Sequence, residues 1–511
     1  MARYQGSTGQ GLRKMPNEMV RFICEALHSD DYDYDYQAYQ ADKGALCALS
    51  RTCWRFHAIA QPILFSSFVY HDRRSATDLL RFLRSLDNNA QLHQHIKILE
   101  FSPRIRKMQH DLSCDGLEEF RARCFAAIPE ATISEAAISR DYLGEREYGV
   151  VGVELALLRT PKLHTLRLPT LFNPPGLAIL PKLQLAGALL PKLHTLRLSR
   201  IAALPRLVDT DARLIVAHLT RQAPNLRSLA IASWVMTMGQ SFGWQPLPLL
   251  TSLTLGPRCW ASAELICELI ALSPALRVFR LHAKRNFTTA AEIWEAVATR
   301  SDTLEELSLF QAMDHHVING GNNNTPDWQT LSGFAKLKIL RLSQAFARVL
   351  LEAWQLWLGE IDSNNNNNGL LLQFLPPGIE EFVLWNIHTP RATRWTAIIE
   401  ELAKAIVEDN DDKGGRFGHL REFLVMRYRE FKRPTTRGPS KDTTSLPGHA
   451  GLPWNVPGSR IVFSDVGGKA KTRLCWPDPV ASLIGKFPSG WGTYLSNYDV
   501  GNIEFWRDSS R

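Results

Sequence analysis

Few residues in this chain have the types and spacing that catalysis needs. Gly467-Gly468-Lys469 suggests a phosphate loop, in which glycine backbone N–H groups cradle an anion. The match fails at both ends. Ala470 stands where a magnesium-binding Ser or Thr belongs, and Phe463 occupies the place of the first glycine. His315 and His316 are adjacent, so on a regular element they point apart, and no other metal ligand follows at a useful spacing. His93 and His95 could share a strand face, but no cysteine or carboxylate joins them. H-E-x-x-H does not occur. The eight cysteines form no C-x-x-C pair, and Cys24, Cys47 and Cys53 lie in apolar helical patterns, which predicts reduced core thiols. No cofactor or metal is expected, and the chain is expected not to be an enzyme.

The chemistry that remains is recognition of charge. His164, Arg167, His194, Arg197, Arg277, Arg280 and Arg341 fall between apolar residues of short extended segments. Guanidinium groups bind carboxylates and phosphates through charge-assisted, often forked, hydrogen bonds, so a run of them would favour an acidic or phosphorylated partner. The alternative is an ordinary solvated strand face.

Those segments are repeats. Residues 161–168 and 191–198 both read PKLHTLRL. In Leu163-x-x-Leu166-x-Leu168 the last two leucines share one face of a strand, and the first closes the turn into it. The looser pattern recurs at Ile96/Leu99/Phe101, Leu226/Leu229/Ile231, Leu250/Leu253/Leu255 and Leu276/Phe279/Leu281. It continues at Leu304/Leu307/Leu309, Leu337/Leu340/Leu342, Ile379/Phe382/Leu384 and Leu420/Phe423/Val425, about ten copies of a leucine-rich repeat template. Strands this short bury an apolar face only beside neighbours of the same kind. Helical patterns alternate with them at 211–221, 262–272, 289–297, 346–358 and 389–407, so the strands should be parallel and the crossovers right-handed. The predicted class is α/β, a solenoid over 71–430 with a parallel sheet on its concave side and helices on its convex side. An irregular insertion spans 103–160. Asparagine-rich runs at 319–324 and 364–368 fall in connections. The tail, 431–511, is loop-rich and then aromatic, with Ile461-Val462-Phe463 as a last strand. It reads as a cap on the solenoid or as an aromatic binding patch.

The net charge of +8 over 511 residues is modest and without a long basic run, so nucleic-acid binding is not demanded. Signal-peptide and membrane-spanning patterns are missing, which places the expected site of action inside the cell, cytoplasmic or nuclear.

The N-terminus has its own pattern. Residues 1–14 are polar and glycine-rich. Pro16 suits a first helical turn, and Met19, Phe22, Ile23 and Leu27 form an apolar stripe. An acidic insert, Asp30 to Gly44, lacks a helical period and predicts a solvated loop. Helical signal resumes at Ala45, runs through Cys53, Trp54, Phe56, Ile59 and Ala60, and should break at Pro62. Met15-Pro16-x-Glu18, Ile23, Leu27, Leu46/Leu49-Ser50, Cys53-Trp54-Arg55-Phe56, Ala60 and Pro62-x-Leu64-Phe65, in that order, resemble an F-box. The likeness is to the F-boxes of fungal proteins that carry degenerate leucine-rich repeats. Met15 replaces the usual leucine, and the acidic insert widens the gap between the first two helices.

The resemblance implies a three-helix F-box over 15–70 ahead of the solenoid. It implies a substrate-recognition adaptor that docks a Skp-family adaptor and, through it, a cullin–RING ubiquitin ligase, while the repeats hold a protein substrate. On the matching positions, the adaptor contact would fall on Met15, Pro16, Ile23, Leu27, Leu49, Cys53, Trp54 and Pro62. The alternatives are a non-ligase F-box scaffold and a plain repeat-type protein-binding module.

Overall fold

The structure is a computed structural model. It describes residues 14–28, 36–70, 76–101, 156–169, 190–199, 219–232, 244–283, 290–311, 328–343, 375–385, 422–428 and 460–466, with isolated positions at 119, 153, 216–217, 235–236, 346 and 420. The expected helices over 346–358 and 389–407, most of the insertion 103–160, the asparagine runs and most of the tail lie outside these residues. The chain divides into two compact units, with the boundary at Leu250/Thr251.

The first unit begins with three helices, α1 (Asn17–Ala26), α2 (Tyr36–Ser50) and α3 (Trp54–Leu64). Val20, Cys24, Leu46, Phe56 and Ala60 form their core. On α1 the buried residues are Val20 and Cys24, one turn apart. Of the expected stripe, Met19 and Phe22 face solvent, whereas Ile23 is half-buried and Leu27 packs against the core. The second expectation to fail is the loop over 30–44, because α2 starts at Tyr36. Tyr39 is buried and its hydroxyl donates to the Ser67 carbonyl at 3.4 Å, while Lys43 bonds to the carbonyls of Leu64 and Ser67. These long-range contacts stabilise a helix whose local apolar period is weak. Pro62 lies inside α3 and does not end it. Proline removes its own N–H donor and crowds the carbonyl four residues back, yet here the helix runs on to Leu64 and closes with the Phe65 N–H on the Gln61 carbonyl.

Five parallel strands follow in the same unit, in the order β1 (Ser67–Tyr70), β2 (Ile98–Phe101), β3 (Thr165–Pro169), β4 (Thr195–Ser199) and β5 (Ser228–Ala232). Helix α4 (Ala76–Asn88) connects β1 to β2. β1 carries no repeat signature and escaped the sequence reading, yet Phe68 pairs with Leu99 and stacks on Phe82 of α4 with ring centroids 3.8 Å apart. The register is that of the repeats: Leu99 lies opposite Leu166, Leu166 opposite Leu196, and Leu196 opposite Leu229. β2 and β3, on either side of the insertion, pair directly, and an insertion between paired strands costs little because loop-closure entropy grows only slowly with length. A two-residue strand, β6 (Val235–Met236), ends this part of the chain.

The second unit repeats the plan with seven parallel strands. They are β7 (Ser252–Ala261), β8 (Val278–Ala283), β9 (Glu306–Gln311), β10 (Ile339–Ser343), β11 (Glu381–Trp385), β12 (Glu422–Tyr428) and β13 (Arg460–Val466). Leu253, Phe279, Leu307, Leu340, Phe382, Phe423 and Ile461 form one row across them. Helices α5 (Ala263–Ala271) and α6 (Ala290–Ala298) alternate with β7, β8 and β9. The first leucine of each repeat is buried because it ends a tight turn. The Leu163, Leu193, Leu226, Leu250, Leu276 and Leu337 N–H groups each donate to the carbonyl three residues back. Each unit is therefore an alternating α/β, solenoid-like arrangement on a parallel sheet.

Ser262 caps α5 by accepting a hydrogen bond from the Leu265 N–H at 3.4 Å. Ser262→Ala should cost about 1 kcal/mol, read as a lower denaturant midpoint. An unchanged midpoint would show that the cap is dispensable.

Candidate protein-interaction surfaces

The two strand faces differ in chemistry. Alternation puts leucines on the buried side and the residues between them on the other. In the second unit this other face holds a charge network. Arg280 makes a forked pair with Glu306, Nε to Oε1 at 2.6 Å and Nη2 to Oε2 at 2.7 Å. Ser308 donates to the same carboxylate at 3.2 Å, and Arg341 Nη1 reaches it at 3.3 Å. Arg341 also forks onto Glu381, at 2.6 and 3.2 Å. Arg280 and Glu306 are buried, at 5% and 6% exposure.

These contacts correct the expectation of an arginine run open to an acidic partner. Arg280 and Arg341 are committed to internal carboxylates, and Arg277 pairs with Glu305 at 3.5 Å. In the first unit Arg167 pairs with Glu100 at 2.9 Å. Arg197 lies half-buried on β4, in register with Arg167. The acids escaped the sequence reading, although the signal was present. Glu305-Glu306 and Glu380-Glu381 sit at the repeat positions of His164-Thr165 and His194-Thr195, one strand away from each arginine.

His164 and His194 stand together at the starts of β3 and β4, with ring centroids 5.3 Å apart. Burial, then the nearby His194, Lys97 and Lys192 charges, hold the His164 imidazole below the usual histidine range.

On the helical unit, the residues matched to an adaptor contact divide into two sets. Met15, Leu27 and Leu49 pack partly buried against the internal core. Ile23 and Pro62 are half-buried, and Pro16 is exposed at the start of α1. Cys53 and Trp54 are exposed at the start of α3, Trp54 by 83%. Among the described residues the exposed large hydrophobics are Met19, Phe22, Trp54 and Leu249, so three of the four lie on this unit. Arg55 bonds to the Asn17 carboxamide oxygen at 2.6 Å and to the Met15 carbonyl, which joins the starts of α1 and α3. Trp54 and Met19 are thereby held at the same end of the unit. Three exposed large apolar side chains, one of them a tryptophan, on one small helical unit are the composition of a docking face rather than of a core edge.

Two of the described thiols, Cys24 and Cys267, do not suit nucleophilic chemistry. Cys24 is buried, and burial and Glu25 raise its pKa. Cys267 is pushed up to about 11 by burial and by Glu292, Glu264 and Glu295. Cys47 and Cys53 are exposed, not the core thiols expected. His93 bonds to the Leu86 carbonyl at 2.8 Å. Among the described residues, no group of three or more His, Cys, Asp or Glu is placed to hold a metal ion, and no helix is long and apolar enough to cross a membrane.

The fold defines the class: an α/β solenoid-like protein with a parallel sheet, consistent with a generic protein-interaction repeat module. Comparison with protein-family models gives no match, and comparison with curated proteins gives none either.

Proposed function

We propose that the chain is a non-enzymatic protein-binding scaffold. Its repeated strands present an extended surface to one protein, and its N-terminal helices offer an apolar face to another. The observation that carries this reading is the repeat register, Leu166 beside Leu196 and Leu229 in one unit and Leu253 through Phe423 in the other. It aligns the intervening side chains in rows across neighbouring strands, and such rows suit extended partners better than a small enclosed substrate. A protein that co-purifies with the intact chain should cross-link to Lys97, Lys192 and Lys338 at the strand starts. Cross-links confined to the helices would overturn this reading.

A second reading names the partners. The residue order over 15–65 resembles an F-box, and the exposed Met19, Phe22 and Trp54 support docking of a Skp-family adaptor. The leucine-rich-repeat-like body would then hold a protein substrate for a cullin–RING ubiquitin ligase, where the chain acts by proximity and its partners do the chemistry. The test is binding of purified protein to a Skp-family adaptor, with and without residues 12–68. Binding lost on deletion, with the repeats still folded by circular dichroism, supports the adaptor role. No binding by the intact chain sinks it and leaves the scaffold. Adaptor binding with no effect of the protein on turnover of any co-purifying partner favours a non-ligase F-box scaffold.

A further inference from the structure

We propose that the starts of β3 and β4 form a proton-gated binding site for an acidic peptide segment of a partner protein, read by Lys97, His164, His194 and Lys192. This rests on the reading of the repeats as a protein-binding surface and gives the partner a chemistry.

The argument begins with a difference between the two units. Lys97, His164, His194 and Arg227 precede successive parallel strands and form one row. The His164 N–H donates to the Lys97 carbonyl at 2.8 Å, the His194 N–H to His164 at 2.9 Å, and the Arg227 N–H to His194 at 2.8 Å. In the second unit the equivalent row reads Arg277, Glu305, Lys338 and Glu380, joined by the same backbone ladder. That row neutralises itself, with Arg277–Glu305 at 3.5 Å and Lys338–Glu380 at 3.6 Å. The row in the first unit contains no acid.

The surrounding groups keep it basic. Lys192 lies in the turn before β4, and both Lys97 and Lys192 are exposed. The next acid up the sheet, Glu100, is held by Arg167 at 2.9 Å, and Arg197 lies beside Arg167 on β4. Lys162 is turned onto the Gln94 side chain at 3.3 Å. Among the described residues, neither imidazole makes a side-chain hydrogen bond. Two histidines between lysines are a poor metal site, since zinc takes at least three protein ligands and the lysines repel a cation.

Span decides the ligand. Neighbouring strands lie about 4.8 Å apart, so Lys97, His164 and His194 cover roughly 10 Å. One phosphoryl group cannot reach across that distance, whereas an extended peptide carrying successive carboxylates can. Protonation supplies the gate. Partial burial, and then the surrounding cations, favour neutral His164 in the free protein. Carboxylates placed against the row favour the imidazolium, so binding takes up protons and tightens as pH falls. The same depressed pKa means that the free protein loses stability as pH drops below the ordinary histidine value of about 6.5, and bound peptide restores it.

The test is fluorescence anisotropy of a labelled oligoglutamate peptide on the full chain, at about pH 5.5 and about pH 7.5, either side of the histidine range. Binding should be about tenfold tighter at the lower pH, as expected for roughly one proton taken up. His164→Gln with His194→Gln should abolish that pH dependence while circular dichroism stays unchanged, and Lys97→Gln with Lys192→Gln should weaken binding at both. Binding that is independent of pH, or that survives the histidine substitutions with its pH dependence intact, overturns the proposal. So does inorganic phosphate displacing the peptide at equal concentration, which would mark a simple anion site. Absence of peptide binding while a co-purifying protein still cross-links to the strand starts overturns this proposal and leaves the scaffold reading standing.

Discussion

Glu306→Ala should lower the stability of the second unit by about 3–5 kcal/mol, the cost of leaving a buried charge without its partner. Glu306 accepts both arms of the Arg280 fork, a bond from Ser308 and one from Arg341. Arg341 retains Glu381, so its loss is partial. Arg280, 5% exposed, is paired to Glu306 by its fork and cannot swing freely into water. The expected result is a lower urea midpoint for the transition that reports this unit. The paired change Glu306→Ala with Arg280→Met should recover much of the loss, because removing both charges removes the desolvation cost along with the attraction. A loss below about 1 kcal/mol for the single change would show that Arg280 finds water, placing the network in the class of surface pairs.

The second large effect is on binding rather than stability. Under the F-box reading proposed above, Trp54→Ala and Phe22→Ala should each weaken binding to a Skp-family adaptor by about 30-fold, corresponding to about 2 kcal/mol for an aromatic anchor. Both side chains are mostly exposed, Trp54 by 83% and Phe22 by 66%. Their removal should therefore change folding stability by no more than about 0.5 kcal/mol. Leu46→Ala is the contrasting control. Leu46 is fully buried among Val20, Cys24, Phe56 and Ala60, and its truncation should destabilise the helical unit by about 2–5 kcal/mol. Titration calorimetry separates the cases. Unchanged affinity in both aromatic variants would remove the exposed patch as the docking face. Melting of the helical unit by Trp54→Ala would show instead that the tryptophan is structural.

The strand register was legible in the chain alone. Burial of a short strand requires apolar residues two apart and a like neighbour, so Leu166/Leu168 and Leu196/Leu198 announce both the strand and its partner. The same reasoning located β7 to β12 and the segment at Ile461 that became β13. It did not find β1, whose Ser67–Tyr70 is buried along its whole length and therefore shows no alternation. It misjudged Tyr36–Gly44, where the helix depends on contacts made by Tyr39 and Lys43 with residues more than 20 positions away.

Local pattern determined which residues could be core, because periodicity follows from backbone geometry. Only the tertiary structure decided which apolar residues were left over. Met19 and Val20 are neighbours on one helix, and the packing of Phe56 and Ala60 selected Val20. Only the tertiary structure, too, decided which charges were spent. Arg277 and His164 hold the same place in their repeats, but a carboxylate lies in the next repeat beside one and a second imidazole beside the other. Charge pairing across a parallel sheet depends on which strand lies next to which, and that adjacency is a property of the folded chain.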